Sequence, residues 1–366
     1  MEFTQINTDK MIEINFITTW NTECGIAETS RFLVNELEKH EDIQTNIYHV
    51  KKSGTKNPFY YIKLLKNIEE NQITHIQYHS DLFSPFIAGF SPGYFPMVIF
   101  LLKFWRKNKI ITTVHEIDPN SMLDKVTIKF LNLSNKIIAH NSALITSMEK
   151  NGIKKGKLFF IPLGTSKSQI LDKTLCKKKL GILNKKILTI FGFINLNKGH
   201  DLLIDILPEL GEDFILIIVG ASRTKEQIEY KNYLKDKISS VGLQDRVKFL
   251  GFVDEKKLQV VANATDIFLY PYRWITASAA LNTAMSYEIP TITSDLDYFK
   301  EIKNKYGCIS LFKSKNKPDL LEKIDELLKN DEKQDHLKEK CRYFNKKTSW
   351  KSIGDKTKKL YLELIC

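Results

Sequence analysis

The sequence lacks the devices that tie small or secreted domains together. It has five cysteines in 366 residues, at 24, 176, 308, 341 and 366. They are odd in number, widely scattered and without a Cys-x-x-Cys pair, which argues against a disulfide framework and a zinc site. Its longest tidy apolar run, FPMVIFLL at 95–102, falls well short of the roughly 20 residues a spanning helix needs. The opening MEFTQINTDK has no basic segment leading into an apolar one, so no secretory signal is expected, and the expected setting is cytoplasmic. No G-x-G-x-x-G spacing follows a strand pattern, which lowers a dinucleotide-dependent oxidoreductase to a remote reading. Short-period repeats and Gly/Ser-rich linkers are absent as well.

Acidic charge is in deficit. Lys and Arg number 55 against 43 Asp and Glu, a net charge of +12. That excess has two readings: affinity for something anionic, or the compositional bias of a chain rich in Lys, Asn and Ile throughout. A nucleic-acid partner has only this charge behind it. No helix-turn-helix, finger or aromatic stacking signature accompanies it, so none is expected. The segment 92–109, PGYFPMVIFLLKFWRKNK, reads either as a peripheral contact with an anionic membrane or as a core-packed helix ending in a solvated cationic turn.

What is present is a repeated alternation of β-branched runs and helically spaced stretches, as in βαβ units around a parallel sheet. Strands are expected at 12–20, 44–50, 74–79, 109–114 and 136–140, and the helix after the first places Ile26, Ser30, Leu33 and Leu37 on one face. A polar stretch from 161 to 186 follows. The rhythm then restarts with strands at 186–192, 213–220, 246–252, 266–272 and 290–294. The expected class is α/β with two doubly wound, Rossmann-like domains, 1–168 and 169–347. A tail helix at 348–366 packs back on the first.

In open parallel sheets ligands bind beyond the carboxyl ends of the strands. That rule selects FGFINLNKGH (191–200), with Gly192 ending a strand and Lys198-Gly199 opening a helix, an arrangement suited to phosphate. It also selects VGASRT (219–224), with Gly220, Ser222 and Arg223. A third stretch, YRWITASAALNTAM (272–285), offers Arg273, the small-residue helix start Thr276-Ala277-Ser278-Ala279, and Thr283. In the first half it picks out NTECGIAE, with Gly25, and TVHEIDP, with His115. His75 and His79 stand roughly 13 Å apart along one strand, too far to share a metal. Asp295-Leu296-Asp297 has the spelling of a cation-chelating motif without its context, and no metal site is expected.

Together these stretches resemble the family 4 retaining glycosyltransferases. TTWNTECGIAETSRFLVNEL is similar to the family's opening strand, glycine loop and helix, VHEI to its strand-end histidine segment, and FGFINLNKGHDLLIDIL to its donor-phosphate segment. LYPYRWITASAALNTAMSYEIPTITSD is similar to its C-terminal signature. The resemblance implies a GT-B fold whose two domains face each other across a cleft, with no cofactor beyond a nucleotide diphosphate-sugar donor. It implies sugar transfer to a glycan or lipid-linked acceptor in polysaccharide biosynthesis, without metal and with retention of configuration. Lys198 would neutralise the diphosphate leaving group, His115 would face the transferred sugar, and Gly25 would approach the pyrophosphate or the sugar. Three departures stand out. An Arg the family carries before Lys-Gly is replaced by the run Phe193, Ile194, Asn195. Its two signature glutamates fall on Ile275 and Thr283. A glycine it places after the second glutamate falls on Tyr287 or Glu288. A chain that keeps the fold and serves as a binding or scaffolding partner of an active transferase is the alternative.

Overall fold

The computed structural model describes residues 11–22, 24–51, 54, 55, 57–83, 93–118 and 121–365. The opening ten residues and Cys366, both read above, lie outside them. The described chain divides into two compact units, 1–164 with 350–366, and 165–349.

The first unit alternates β1 (Ile12–Thr18), α1 (Gly25–Leu37), β2 (Ile43–His49), α2 (Pro58–Lys66), β3 (Ile73–Tyr78), α3 (Phe95–Phe104), β4 (Lys109–Val114), α4 (Met122–Leu131), β5 (Lys136–Ala139), α5 (Ser142–Lys150) and β6 (Leu158–Phe160). Its six strands are all parallel, in the order β2-β1-β3-β4-β5-β6. Alternation along β1 explains the two layers. Ile14 and Phe16 face α1 and the last helix of the chain, against Leu33, Leu37, Ile353 and Tyr361. Ile17 faces the other way, toward the core shared with α2 to α5. On α1, Ser30, Leu33 and Leu37 are buried as the spacing requires, and Ile26 is half-buried.

The second unit runs α6 (Lys173–Lys179), β7 (Lys186–Phe191), α7 (His200–Ile206), β8 (Phe214–Val219), α8 (Lys225–Ser240), β9 (Val247–Gly251), α9 (Glu255–Ala264), β10 (Ile267–Tyr270), α10 (Ala279–Ser286), β11 (Thr291–Ser294), α11 (Asp297–Tyr306), β12 (Ser310–Phe312), α12 (Lys317–Lys329) and α13 (Asp331–Thr348). Its parallel order is β12-β11-β10-β7-β8-β9. Every residue of β8, FILIIV, is buried, as expected of a strand covered on both faces. The chain moves outward from β7 through β8 to β9, then returns to the other side of β7 as β10. The strand order therefore reverses between β7 and β10. The final helix, α14 (Trp350–Ile365), belongs to the first unit and packs on α1. Trp350 stacks on Phe32 with ring centroids 5.4 Å apart. A Cβ on Gly164 would lie 2.3 Å from the Trp350 ring, so the close approach there requires glycine.

Two strands carry no signal in the sequence. β6 and β12 are edge strands of three residues each, too short for a period to show.

Candidate functional site

The reversal of strand order between β7 and β10 is where the physics of parallel sheets puts a ligand. The loops leaving these two strands meet there. Lys198, after β7, donates a 2.6 Å hydrogen bond to the hydroxyl of Tyr272, after β10. The lysine is half-buried, and loss of hydration lowers its pKa from the ordinary lysine value to about 7. Burial pushes the Tyr272 phenol up, so it stays neutral.

Gly192 and Gly220, at the ends of β7 and β8, form the floor. Gly220 has φ +150°, and a Cβ there would fall 1.9 Å from the Gly192 carbonyl oxygen. Gly192 has φ +127°, and its missing Cβ would sit 3.3 Å from Ala280 Cβ and 3.7 Å from Lys198 Nζ. The two glycines thus bring the β7 loop, the β8 loop, the first turn of α10 and the lysine ammonium into one small space. The Ser222 hydroxyl and the Asn195 side-chain carbonyl, on adjoining loops, are buried with no hydrogen-bond partner, an arrangement that carries a desolvation cost.

Several expectations about this region need correction. Lys198 and Gly199 do not open the helix. Lys198 ends a 3₁₀ turn over 196–198, Gly199 is left-handed at φ +70°, and the seven-residue α7 starts at His200. Gly199 is demanded by packing, since a Cβ would approach the Pro271 carbonyl oxygen to 2.1 Å. The helix start assigned to Thr276-Ala277-Ser278-Ala279 begins only at Ala279. Ser278 is the buried N-cap and accepts the Leu281 N–H at 3.1 Å, while its own N–H donates to Tyr298, so its hydroxyl does not face outward. Ala277 packs partly on the core. Thr283 donates to the Ala279 carbonyl within its own helix.

The two arginines part company. Arg273 donates to Asp201 at 2.6 Å and to the Leu196 carbonyl at 2.7 Å. Asp201 also accepts from Tyr230, and the Arg273 and Tyr230 hydrogen bonds together outweigh the carboxylate's desolvation and hold it below its usual range. Arg273 is therefore a brace for the Lys198 loop rather than a free phosphate cation. Arg223 is exposed, with its guanidinium 4.2 Å from the ring centroid of Phe193, the residue after Gly192.

Ile275, where the first glutamate was expected, packs against the core. Of Tyr287 and Glu288, the two places for the missing glycine, Glu288 has φ +58°, the left-handed conformation that glycine adopts freely. Asp295 accepts the Ser314 N–H, and both Asp295 and Asp297 lie 3.9 Å from the Lys300 ammonium. Among the described residues no cluster of three or more His, Cys, Asp or Glu is placed to hold a metal.

In the first unit, Gly25 opens α1 behind its cap Cys24, with open space where a Cβ would point. His115 follows β4, and its Nε2 lies 2.7 Å from Gln77 Oε1, so Nε2 carries the proton. The Gln77 amide nitrogen in turn lies 3.3 Å from His75 Nε2, and His75 Nδ1 lies 2.6 Å from the Tyr361 hydroxyl. Burial holds His75 at about 3 and His115 well below the usual imidazole range, with His140 adding to both. Both rings are neutral, and the chain of bonds fixes the ring plane of His115 from α14 inward. Gln77 and Tyr272 were not singled out from the sequence. Gln77 had a legible signal, a second polar side chain alternating with His75 on a strand whose six residues are all buried. Tyr272 had none, because an aromatic ending an apolar strand reads as core.

Comparison with known proteins now adds a likeness. Residues 172–344 match the sequence model of Glycosyl transferases group 1. Mannosylfructose-phosphate synthase of Agrobacterium fabrum is 29% identical over 176 residues, 45% of this chain and 38% of that protein. An uncharacterised glycosyltransferase of Methanocaldococcus jannaschii is 27% identical over 341 residues, covering 83% of this chain and 92% of its own length. Among the first curated relatives the matched stretch is shorter, between 38% and 51% of their lengths. In fold, the chain is similar to Anabaena HepE, solved in complex with UDP and glucose. The TM-score is 0.78 at 17% identity, with 96% of this chain and 100% of that one covered. The two Rossmann-like parallel sheets are those of the GT-B class. Over residues 172–344, then, the chain is similar to the group 1 glycosyltransferases.

Proposed function

We propose that this protein transfers a sugar from a nucleoside diphosphate-sugar to a glycan or lipid-linked acceptor, retaining the anomeric configuration and using no bound metal. The observation that carries this reading is the Lys198 ammonium over the Gly192–Gly220 floor at the switch point of the second sheet. Cleaving the sugar–phosphate bond builds negative charge on the leaving diphosphate. A partly desolvated ammonium aimed there stabilises that charge more strongly than one in water. Tyr272 orients the ammonium, and Arg273 with Asp201 holds its loop. Neutral His115, with Nε2–H committed to Gln77, offers Nδ1 as an acceptor to a sugar hydroxyl.

HepE, from its solved complexes, binds UDP and glucose, which makes uridine the first base to try. Thermal unfolding in the presence of UDP, GDP, ADP and CDP is expected to single out one nucleotide, because selective binding stabilises by mass action. Stabilisation by none of the four would remove the donor site. Anomeric analysis of the product by NMR then tests retention.

One observation favours a second reading. With Ile275 in the core and Thr283 bonded within α10, no carboxylate replaces the missing pair at these places. A binding partner without turnover would show the same nucleotide stabilisation but no sugar release in a donor and acceptor panel.

A further inference from the structure

Helices α2, α3 and α4 share one layer of the first unit, and its outer surface differs from a helix layer that meets only water. On α3 the inward residues Phe95, Val98, Ile99 and Leu102 are fully buried. Phe100 and Phe104, one turn apart on the outside, are 49% and 58% exposed, with ring centroids 4.7 Å apart. Trp105 follows directly, also exposed, and the Arg106 guanidinium lies 5.4 Å from its ring centroid. α2 contributes Phe59, 73% exposed, and α4 contributes Met122, 83% exposed. Scattered exposed apolar residues need no explanation, but large ones gathered along one helix and its two neighbours do.

The charge on these helices is mainly positive: within 58–66, 95–104 and 122–131 the sequence has five lysines against one carboxylate, Asp124. From 95 to 109 the sequence has no carboxylate and four cations; Lys107 and Lys109 are exposed, whereas Lys103 is half-buried and donates to Asn135. Arg106 pairs with Glu70 at 3.0 Å. Lys63 and Lys66 on α2, with Lys125 and Lys129 on α4, are all exposed. Lysine is depleted where proteins meet proteins, whereas aromatic side chains rimmed by lysine are the mark of a helix lying in a lipid interface.

We infer that this face docks on an anionic bilayer, with α3 lying in the plane of the headgroups, its aromatic pair among the acyl chains and the exposed lysines around it on lipid phosphates. None of the helices among the described residues is long and apolar enough to cross a membrane, so the contact is peripheral. α4 begins seven residues after His115, so Met122 carries this surface toward the carboxyl end of the first sheet. If the transferase reading holds, a lipid-linked acceptor would be presented at that end. The docking surface itself does not depend on it.

Flotation with vesicles of phosphatidylcholine, with and without phosphatidylglycerol, tests the inference using the whole chain. The wild-type protein is expected to float with the anionic vesicles only, and less so at high salt. Phe100→Ser with Phe104→Ser should lower the partition coefficient roughly tenfold or more, and Lys66→Gln with Lys107→Gln severalfold. Both should keep the wild-type thermal unfolding profile and nucleotide-induced shift, so a failure of docking is separable from a failure of the donor site. Equal flotation with both vesicle types, no flotation, or variants that float like the wild type would overturn the inference. So would a wild-type dimer in sedimentation that the aromatic variant abolishes without any lipid binding, because the face would then join two copies of the chain.

Discussion

Lys198→Ala is expected to lower sugar transfer by on the order of 10²-fold or more, the loss typical of removing one preorganised donor to developing negative charge. Nucleotide affinity should respond more distinctively, through its dependence on pH. In the ligand-free protein, burial lowers Lys198 to about 7, so its ammonium is full only below that pH. A bound diphosphate favours the charged form and raises the pKa again. Above pH 7, binding therefore takes up a proton, and affinity for the nucleotide falls as pH rises, by up to about tenfold per unit. Below pH 7 that slope disappears. Titration calorimetry at several pH values, on wild type and Lys198→Ala, should show the slope in the first and its absence in the second. The diphosphate's own ionisation is common to both and cancels. Parallel pH profiles in the two proteins would take Lys198 out of the phosphate site.

Gly220→Ala is expected to damage stability and nucleotide binding together. An alanine Cβ at this position meets the Gly192 carbonyl oxygen at 1.9 Å and carbon at 2.6 Å, both backbone atoms that cannot rotate away. The φ of +150° adds strain of its own. Positive-φ strain and core overpacking each cost about 1–3 kcal/mol, so roughly 2–6 kcal/mol is expected for the second unit. For a domain of this size that corresponds to a fall in its unfolding temperature on the order of 10 °C. Gly181→Ala is the control, because Gly181 also has positive φ, +69°, but no atom within 4 Å of the added Cβ. It should show the strain alone and leave nucleotide binding intact. If both variants unfold alike, the close approach of the two loops is not what fixes glycine at 220.

The contrast between the glycines marks what the sequence could and could not convey. Ten strands, the edge strands β2 and β9 among them, were legible because each runs to at least four residues, and their spacing gave the βαβ rhythm. Which glycine serves which purpose was not legible. Gly199 looked like an anion-binding glycine at a helix mouth, and its real constraint is the Pro271 carbonyl, which lies 72 residues away in the chain. Lys198 was identifiable from its place in the motif, but Tyr272, which fixes its ammonium, depends on a fold-level meeting of two loops. Arg273 shows the same limit from the other side. A cation beside the site reads as a phosphate ligand until Asp201 and the Leu196 carbonyl are seen to occupy it. Short-range pattern reveals which elements exist, and partner choice across the sheet remains hidden in it.

The chain of buried imidazoles has a consequence for how the protein meets acid. Burial is the first cause that keeps His75 at about 3 and His140 at about 4 in the first unit, and His200 at about 3 in the second. In the unfolded chain each would protonate near 6.5. Stability held at neutral pH is thus lost as pH falls below 6.5, at about 1.4 kcal/mol per pH unit for each histidine, until the folded values are reached. The first unit carries two such groups, with His115 acting in the same direction, and the second carries one. Mild acidification should therefore open the sheet that bears His75 and His140 first. Trp350, buried at the start of α14 against Phe32 of α1, would report that opening by its fluorescence, while exposed Trp274 follows the other unit. Simultaneous transitions at both tryptophans would mean that the two halves share their acid response.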